Sequence, residues 1–242
     1  MQTKAGHPLR SSNRTYDYLL FDIDNTLMDF SAGEKIALYQ TMAELGSPIS
    51  HEEHQAYLAI NAGVWAKFEQ GLLDSKTVQR LRFEQFLEYL HQDPARAQAV
   101  NDHYVENLGK QAVVMDGAMD MLRRVKERYR LAVVTNGLHL VQRARLERSG
   151  FLPLLDGVFI SQEMGVQKPT KAYFDAVLSA FGDGDPSKYL VIGDSLSADI
   201  QGGINAGIDT CWFRPAGMEP REDVPPTYTV GGYDELLELL LP

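Results

Sequence analysis

The sequence predicts an α/β protein: a doubly wound parallel sheet of Rossmann-like type, interrupted after its first strand by an all-helical insertion. Three observations predict it. Short runs at 131–137, 157–161, 189–195 and 209–213 contain successive apolar positions, as strands covered by helices on both faces do. These runs alternate with stretches of helical period, the pattern of parallel strands joined by crossover helices. A further strand-like run, YDYLLF at 16–21, stands far ahead of its partners, with only helical period in between.

The elements follow in order. The run 16–21 is the first strand and ends in polar and turn residues. Residues 31–110 then read as helices. Ile36, Tyr39, Met42 and Leu45 share one face, with Gly46 as a stop. Tyr57, Ile60, Val64 and Phe68 continue at helical spacing, with Gly71 beyond. Ser75 caps a helix carrying Val78, Leu81, Phe86 and Leu90. Asp93-Pro94 opens another, followed by Ala97, Val100, Tyr104 and Leu108.

Beyond these, 117–128 is helical, 131–137 is a strand and turn, and His139–Ser149 is a helix stopped by Gly150. A strand at 157–161 precedes a helix, Lys171–Phe181, opened by Pro169 and stopped by Gly182. Strand 189–195, helix 198–206, strand 209–213, strand 227–230 and helix Tyr233–Leu240 complete the series. The expected divisions are a tail at 1–15, a core at 16–29 and 113–242, and a helical cap at 30–112. The proline-rich stretch 214–226 reads as a loop.

Composition bounds the function. The 242 residues are 44% hydrophobic and 23% charged, ordinary for a globular protein. A formal net charge of −10 argues against a nucleic acid polymer or an anionic membrane as partner. It leaves a small anionic substrate open where a metal or local cations neutralise the site. The single cysteine, Cys211, suits a reducing, cytoplasmic setting and reads as inert core.

No run reaches the roughly 18–20 apolar residues of a membrane span, and the polar N-terminus lacks the apolar segment of a secretory signal. The triplet Asn13-Arg14-Thr15 has the form of a glycosylation acceptor and is discounted for that reason. The six histidines lack metal-ligand spacing; His51 and His54 decorate a helix start. No GxxxxGK[ST] phosphate loop is present.

Ligands of open parallel sheets bind beyond the carboxyl ends of the strands, and four clusters fall there. Asp22 and Asp24 follow the first strand. Thr135-Asn136-Gly137 follows the second. Gln167-Lys168-Pro169 follows the third, and Gly193-Asp194-Ser195 follows the fourth, with Asp199 one turn on. Carboxylates as close as Asp22 and Asp24 repel one another, so a metal, a shared proton or exposure to water has to relieve them. The two side chains share a side only if the strand stays extended through them.

DxDxT after a first strand, Thr after the next, Lys before Pro, then GDxxxxD: this order resembles the haloacid dehalogenase superfamily, in its phosphatase branch, from about Tyr16 to the end of the chain. The resemblance implies that Asp22 is a nucleophile forming an aspartyl-phosphate. Asp24 is then the acid and base for leaving group and water. It further implies Mg²⁺, replaceable by Mn²⁺, on Asp22, the Asp24 carbonyl and Asp194, with Asp199 orienting the metal shell. Thr135 and the amides of Asn136 and Gly137 hold phosphoryl oxygens, and Lys168 neutralises charge. The sequence departs from the commonest pattern at Asn25, where glycine is frequent.

A narrower resemblance, carried by 57–71, 134–151, 165–169 and 193–213, is to pyrimidine 5′-nucleotidases of this superfamily. It implies UMP, dUMP and dTMP as substrates. Within the cap, Asn61 and Trp65 share a helix face, Arg82-Phe83 adds a cation and a ring, and Phe30 follows the first acidic pair. Phe30, Trp65 and Phe83 are candidate walls for a flat base. For Trp65, Phe68 and Phe83, packing in the cap core stays open beside that reading. A sugar-phosphate or phosphoglycolate phosphatase, a phosphomutase, a dehalogenase and a non-catalytic module on the same fold remain alternatives.

Overall fold

The computed structural model describes residues 15–214, 217–218 and 223–241. Apart from Thr15, the expected tail lies outside the described residues, as does part of the loop 214–226. The strands are β1 (Tyr18–Phe21), β2 (Arg130–Thr135), β3 (Gly157–Ile160), β4 (Tyr189–Gly193), β5 (Asp209–Phe213) and β6 (Tyr228–Val230). They form one sheet in the order β3-β2-β1-β4-β5-β6, and every pairing is parallel.

The order reverses between β1 and β4, where connections leave toward opposite faces and a crevice opens at the strand ends. Leu19, Leu20, Phe21 and the inner residues of β2 and β4 are fully buried, because helices cover both faces. On one face Leu19, Phe21, Leu131, Val133, Leu190 and Ile192 pack in one cluster. On the other, Leu20, Ala132, Val134 and Val191 pack against Phe174 and Val177.

The helices are α1 (Phe30–Glu44), α2 (His51–Glu69), α3 (Ser75–Tyr89), α4 (Ala97–Gly109), α5 (Ala118–Lys126), α6 (His139–Ser149), α7 (Ser161–Met164), α8 (Lys171–Phe181), α9 (Gln201–Ala206) and α10 (Tyr233–Leu240). Helices α1–α4 form the cap, inserted between β1 and α5. Their ends follow local chemistry. Ser50 and Glu53 make reciprocal caps at the start of α2. Asp74, rather than the expected Ser75, caps α3 by accepting from the Thr77 amide at 2.7 Å. Helix α5 starts after Gly117, whose φ of 87° lies in the left-handed region that glycine adopts without a Cβ clash.

The chain enters and leaves the cap side by side. Met28 and Val114 form an antiparallel bridge, the Asp29 amide donates to the Val113 carbonyl at 2.9 Å, and the Met115 amide donates to the Leu27 carbonyl at 3.1 Å.

The cap interior differs from the apolar pattern in two places. Ile36, expected on the inner face of α1, is 47% exposed. Helix α1 instead buries Gly33, Glu34, Ala37, Leu38, Thr41 and Met42. Two polar residues are inside because they have partners: Glu34 meets His54 at 3.0 Å, and Thr41 accepts from Asn107 at 3.1 Å. His54 is thus a buried partner of Glu34, not surface decoration.

Phe83, a candidate base wall, is fully buried with ring centroids 5.5 Å from Tyr57 and 5.2 Å from Tyr104. It is cap core and does not line the cleft. Truncating Phe83→Ala is expected to cost about 3–5 kcal/mol of stability. Denaturant unfolding checks the loss.

Candidate active site

The β1–β4 crevice collects the sequence clusters. Asp22 follows β1, Thr135 ends β2, and Asp194 follows β4. Lys168 comes up from the loop after α7. The loops are tied together by Asn136, whose side chain donates to the Lys168 carbonyl at 2.8 Å and accepts from the Lys168 amide at 3.0 Å. Beyond β4 the chain makes one wide π-helical turn, Leu196–Ile200, before α9 begins; the expected helix at 198–206 therefore starts irregularly. That turn folds Asp199 back over the strand end. A Cβ on Gly193 would stand 2.2 Å from Asp199 Oδ2, so only glycine allows the approach.

Lys168 is 2% exposed and its ammonium has three acceptors for three protons: Asp22 Oδ1 at 2.7 Å, Asp199 Oδ1 at 2.6 Å and the Val134 carbonyl at 2.9 Å. Burial pulls its pKa down, but the carboxylates of Asp199 and Asp22 outweigh that and hold it above the ordinary lysine range. It is a fixed positive charge.

The acids sense the opposite imbalance. Burial raises Asp22 well above the usual carboxylate range; Lys168 opposes this, while Asp199, Asp194 and Asp24 add to it. Asp194 is pushed up to about 7, mainly by burial and then by Asp199.

Oxygen atoms of Asp22, Asp194 and Asp199 lie within 4.8 Å of one another. Three carboxylates face one ammonium, so the cluster is short of positive charge, and its donors are all hard oxygens. That set fits a small divalent cation such as magnesium. Asp199 already uses both oxygens, one on Lys168 and one accepting from the Ser195 amide at 3.1 Å. Asp22 Oδ2 accepts no hydrogen bond from another described residue, and Asp194's carboxylate is met only by its own backbone amide, which leaves both open to a cation.

Asp24 lies beyond a tight turn. Asn25 has φ 56°, a left-handed conformation that asparagine tolerates better than most side chains; this is why asparagine can stand where glycine is frequent. The turn brings both acidic side chains to one cleft although β1 ends at Phe21. Thr135 is buried and its Oγ1 accepts from Gln142 at 3.1 Å and from the Gly137 amide at 3.0 Å. Its own hydroxyl proton is left for a ligand. The Gly137 amide, expected on a phosphoryl oxygen, is directed at Thr135 instead.

The sequence matches the haloacid dehalogenase-like hydrolase family over residues 16–207. The chain belongs to that family. It is 33% identical to the pyrimidine 5′-nucleotidase YjjG of Escherichia coli over 93% of this chain and 98% of that one. It is 36% identical to the pyrimidine 5′-nucleotidase PynA of Streptococcus pneumoniae over 93% and 95%. A crystal structure of the HAD-hydrolase YfnB of Bacillus subtilis, bound to magnesium, matches with a TM-score of 0.88 at 34% identity, covering 94% of this chain and 100% of that one.

In this haloacid dehalogenase-like hydrolase the strand-end residues form the floor of a cleft of about 270 Å³, roofed by the cap. Phe30, Asn61, Trp65 and Arg82 line it. Arg82 is held flat, its guanidinium 5.0 Å from the Phe83 ring and 4.8 Å from that of Tyr104, with Nη2 donating to Asn101 at 3.0 Å. Trp65 lines the cleft while its edge meets Phe68 at 5.3 Å. Phe68 itself is buried in the cap.

Among the polar residues that line the cleft, Glu69, Gln142 and Arg145 escaped the sequence reading. Glu69 accepts from Ser197 at 2.7 Å, and Gln167 donates to the Phe68 carbonyl at 2.6 Å. These two bonds tie the end of α2 to the core loops. Cys211 is fully buried in β5, where burial pushes its thiol pKa up. Among the described residues, no helix is long and apolar enough to cross a membrane.

Proposed function

We propose that this hydrolase is a magnesium-dependent phosphomonoesterase that works through an aspartyl-phosphate, and that its substrates are pyrimidine nucleoside monophosphates such as UMP, dUMP and dTMP. The observation that carries this reading is the Asp22–Lys168–Asp194 cluster on the floor of a cleft whose roof holds Phe30 and Trp65.

The Asp22 carboxylate attacks phosphorus, held in place by Lys168, which donates to its Oδ1 at 2.7 Å. The leaving 5′-oxygen takes a proton from Asp24. Water then attacks the phosphorus of the aspartyl-phosphate, its proton passes to Asp24, and phosphate leaves with Asp22 restored. The Thr135 hydroxyl and the Asn136 amide hold phosphoryl oxygens. Magnesium, or manganese in its place, held by Asp22, Asp194 and the Asp24 carbonyl, supplies positive charge for phosphoryl transfer. Asp199 holds Lys168 and the Ser195 amide and thereby orients the loop that carries Asp194.

The base enters the roof. Phe30 and Trp65 offer faces to a flat ring, and Asn61 and Arg82 offer polar groups to its edge. The pyrimidine 5′-nucleotidase names of two relatives and the magnesium in the YfnB crystal support the choice of substrate and metal.

The test is kcat/KM over a panel of phosphate esters with Mg²⁺. Values for UMP, dUMP and dTMP are expected to exceed those for purine nucleotides, sugar phosphates and phosphoglycolate by about tenfold or more, a difference of some 1.4 kcal/mol in transition-state binding. EDTA is expected to stop turnover and added Mg²⁺ to restore it. Sugar phosphates outrunning all the nucleotides would overturn the substrate assignment, and full activity in EDTA would overturn the metal.

A further inference from the structure

One contact near the floor of the cleft has no place in the scheme above. Helix α6 carries three arginines, yet two of its polar residues are inside: Gln142 is 1% exposed and Arg145 is fully buried. Both reach Asp24. Arg145 Nη1 donates to Asp24 Oδ1 at 2.5 Å, and Gln142 Nε2 donates to Asp24 Oδ2 at 2.7 Å. Each oxygen of the carboxylate is therefore held by a different side chain.

The two donors are themselves fixed. Arg145 Nη1 also donates to Gln142 Oε1 at 3.1 Å, and Arg145 Nε donates to the Gln111 carbonyl at 3.0 Å. Gln111 belongs to the returning connection of the cap. The Arg145 guanidinium lies 5.6 Å from the ring of Phe30, at the start of the outgoing one. Gln142 Nε2 is shared with Thr135 Oγ1 at 3.1 Å. Arg145 thus stands between the acid–base carboxylate and both cap connections.

We propose that Arg145, braced by Gln142 and the Gln111 carbonyl, is the positioning residue that holds the Asp24 carboxylate in line with the leaving group and the attacking water. The reasoning is geometric. Asp24 sits past the end of β1 on a left-handed turn and is itself partly exposed, so its own backbone does not fix its rotamer. A carboxylate free to rotate faces the leaving oxygen only part of the time, and misplacement of a catalytic group is costly. The rigid guanidinium donates from two nitrogens in a fixed plane, to Asp24 and Gln142 from Nη1 and to the Gln111 carbonyl from Nε, a preorganised geometry that a flexible lysine does not reproduce. The inference rests on the phosphatase reading.

The experiment combines leaving-group dependence with a double-mutant cycle in the full-length protein. Arg145→Met is expected to lower kcat for UMP about 10²-fold, the lower end of what acid–base groups contribute, with KM little changed. On p-nitrophenyl phosphate, whose leaving group needs no proton, the variant still transfers the phosphoryl group to Asp22. Water attack, which does need Asp24, is slowed, so a burst of about one p-nitrophenolate per active site is expected. Arg145→Lys keeps one charged donor and recovers part of the loss. In an Asp24→Asn background, Arg145→Met is expected to change kcat no further, because its effect acts through Asp24.

Equal losses on both substrates without a burst, or losses that add in the double variant, would overturn the positioning role in favour of a purely structural one. If Arg145→Met does not fold, Gln142→Met and Arg145→Lys are read by the same two criteria. A wild-type enzyme that releases phosphate from no ester would sink the phosphatase reading instead, so the two failures are distinguishable.

Discussion

Asp22→Asn is expected to abolish phosphate release, by about 10⁴-fold or more, as loss of a covalent nucleophile does. The amide has the shape of the carboxylate but no anionic oxygen to attack phosphorus. The fold is expected to survive. Lys168 keeps Asp199 and the Val134 carbonyl as acceptors, and the cluster loses one of three mutually repelling carboxylates. Phosphate assays, with circular dichroism on the same sample, check both halves. Turnover at the wild-type rate would refute the nucleophile assignment. In the wild type, acid quenching during turnover is expected to trap phosphate on the chain, and in the variant it is not.

Lys168→Met is expected to remove activity and also to weaken the fold, which separates it from Asp22→Asn. The side chain has similar length and no charge. Its loss leaves the buried carboxylates of Asp22 and Asp199 without their shared cation, where removing one partner of a buried ion pair costs about 3–5 kcal/mol. The expected signature is a lower denaturant midpoint together with loss of phosphate release. Saturating Mg²⁺ is expected to recover part of the stability, because a cation that binds only the folded cluster shifts the equilibrium toward it. A variant as stable as wild type would show that Lys168 is dispensable for holding the cluster together.

The sheet was legible because its strands obey a simple rule. Residues in β2 and β4 are apolar at every position that two helix layers cover, and the acids and glycines at their ends interrupt the pattern. The strand-end residues Asp22, Thr135 and Asp194 could be found for the same reason, as polar residues closing apolar runs, and Lys168 by its place before Pro169 at a helix start.

The rule failed where polar groups satisfy one another inside. Glu34, Thr41, His54 and Asn107 form partnered pairs in the cap, so apolar spacing pointed to Ile36 instead of the true inner face of α1. It failed again for Gln142 and Arg145. They lie at i, i+3 on a helix rich in arginine, and nothing in the local pattern separates them from the exposed Arg143 and Arg148. Only the fold brings Asp24 to them. For Phe83 the sequence left two readings open, since an aromatic beside a pocket arginine looks the same whether it faces ligand or core; the fold places it in the core.

The bridge between Met28 and Val114 has a consequence for how such a protein changes over evolutionary time. The two ends of the eighty-odd-residue insertion already sit together, so the core gains no loop-closure advantage from the particular helices hung between them. A different lid could be grafted at the same two positions, or a short turn could replace it, without disturbing the register of the sheet. In the function proposed above, the floor takes the phosphoryl end of the substrate and the roof takes the other.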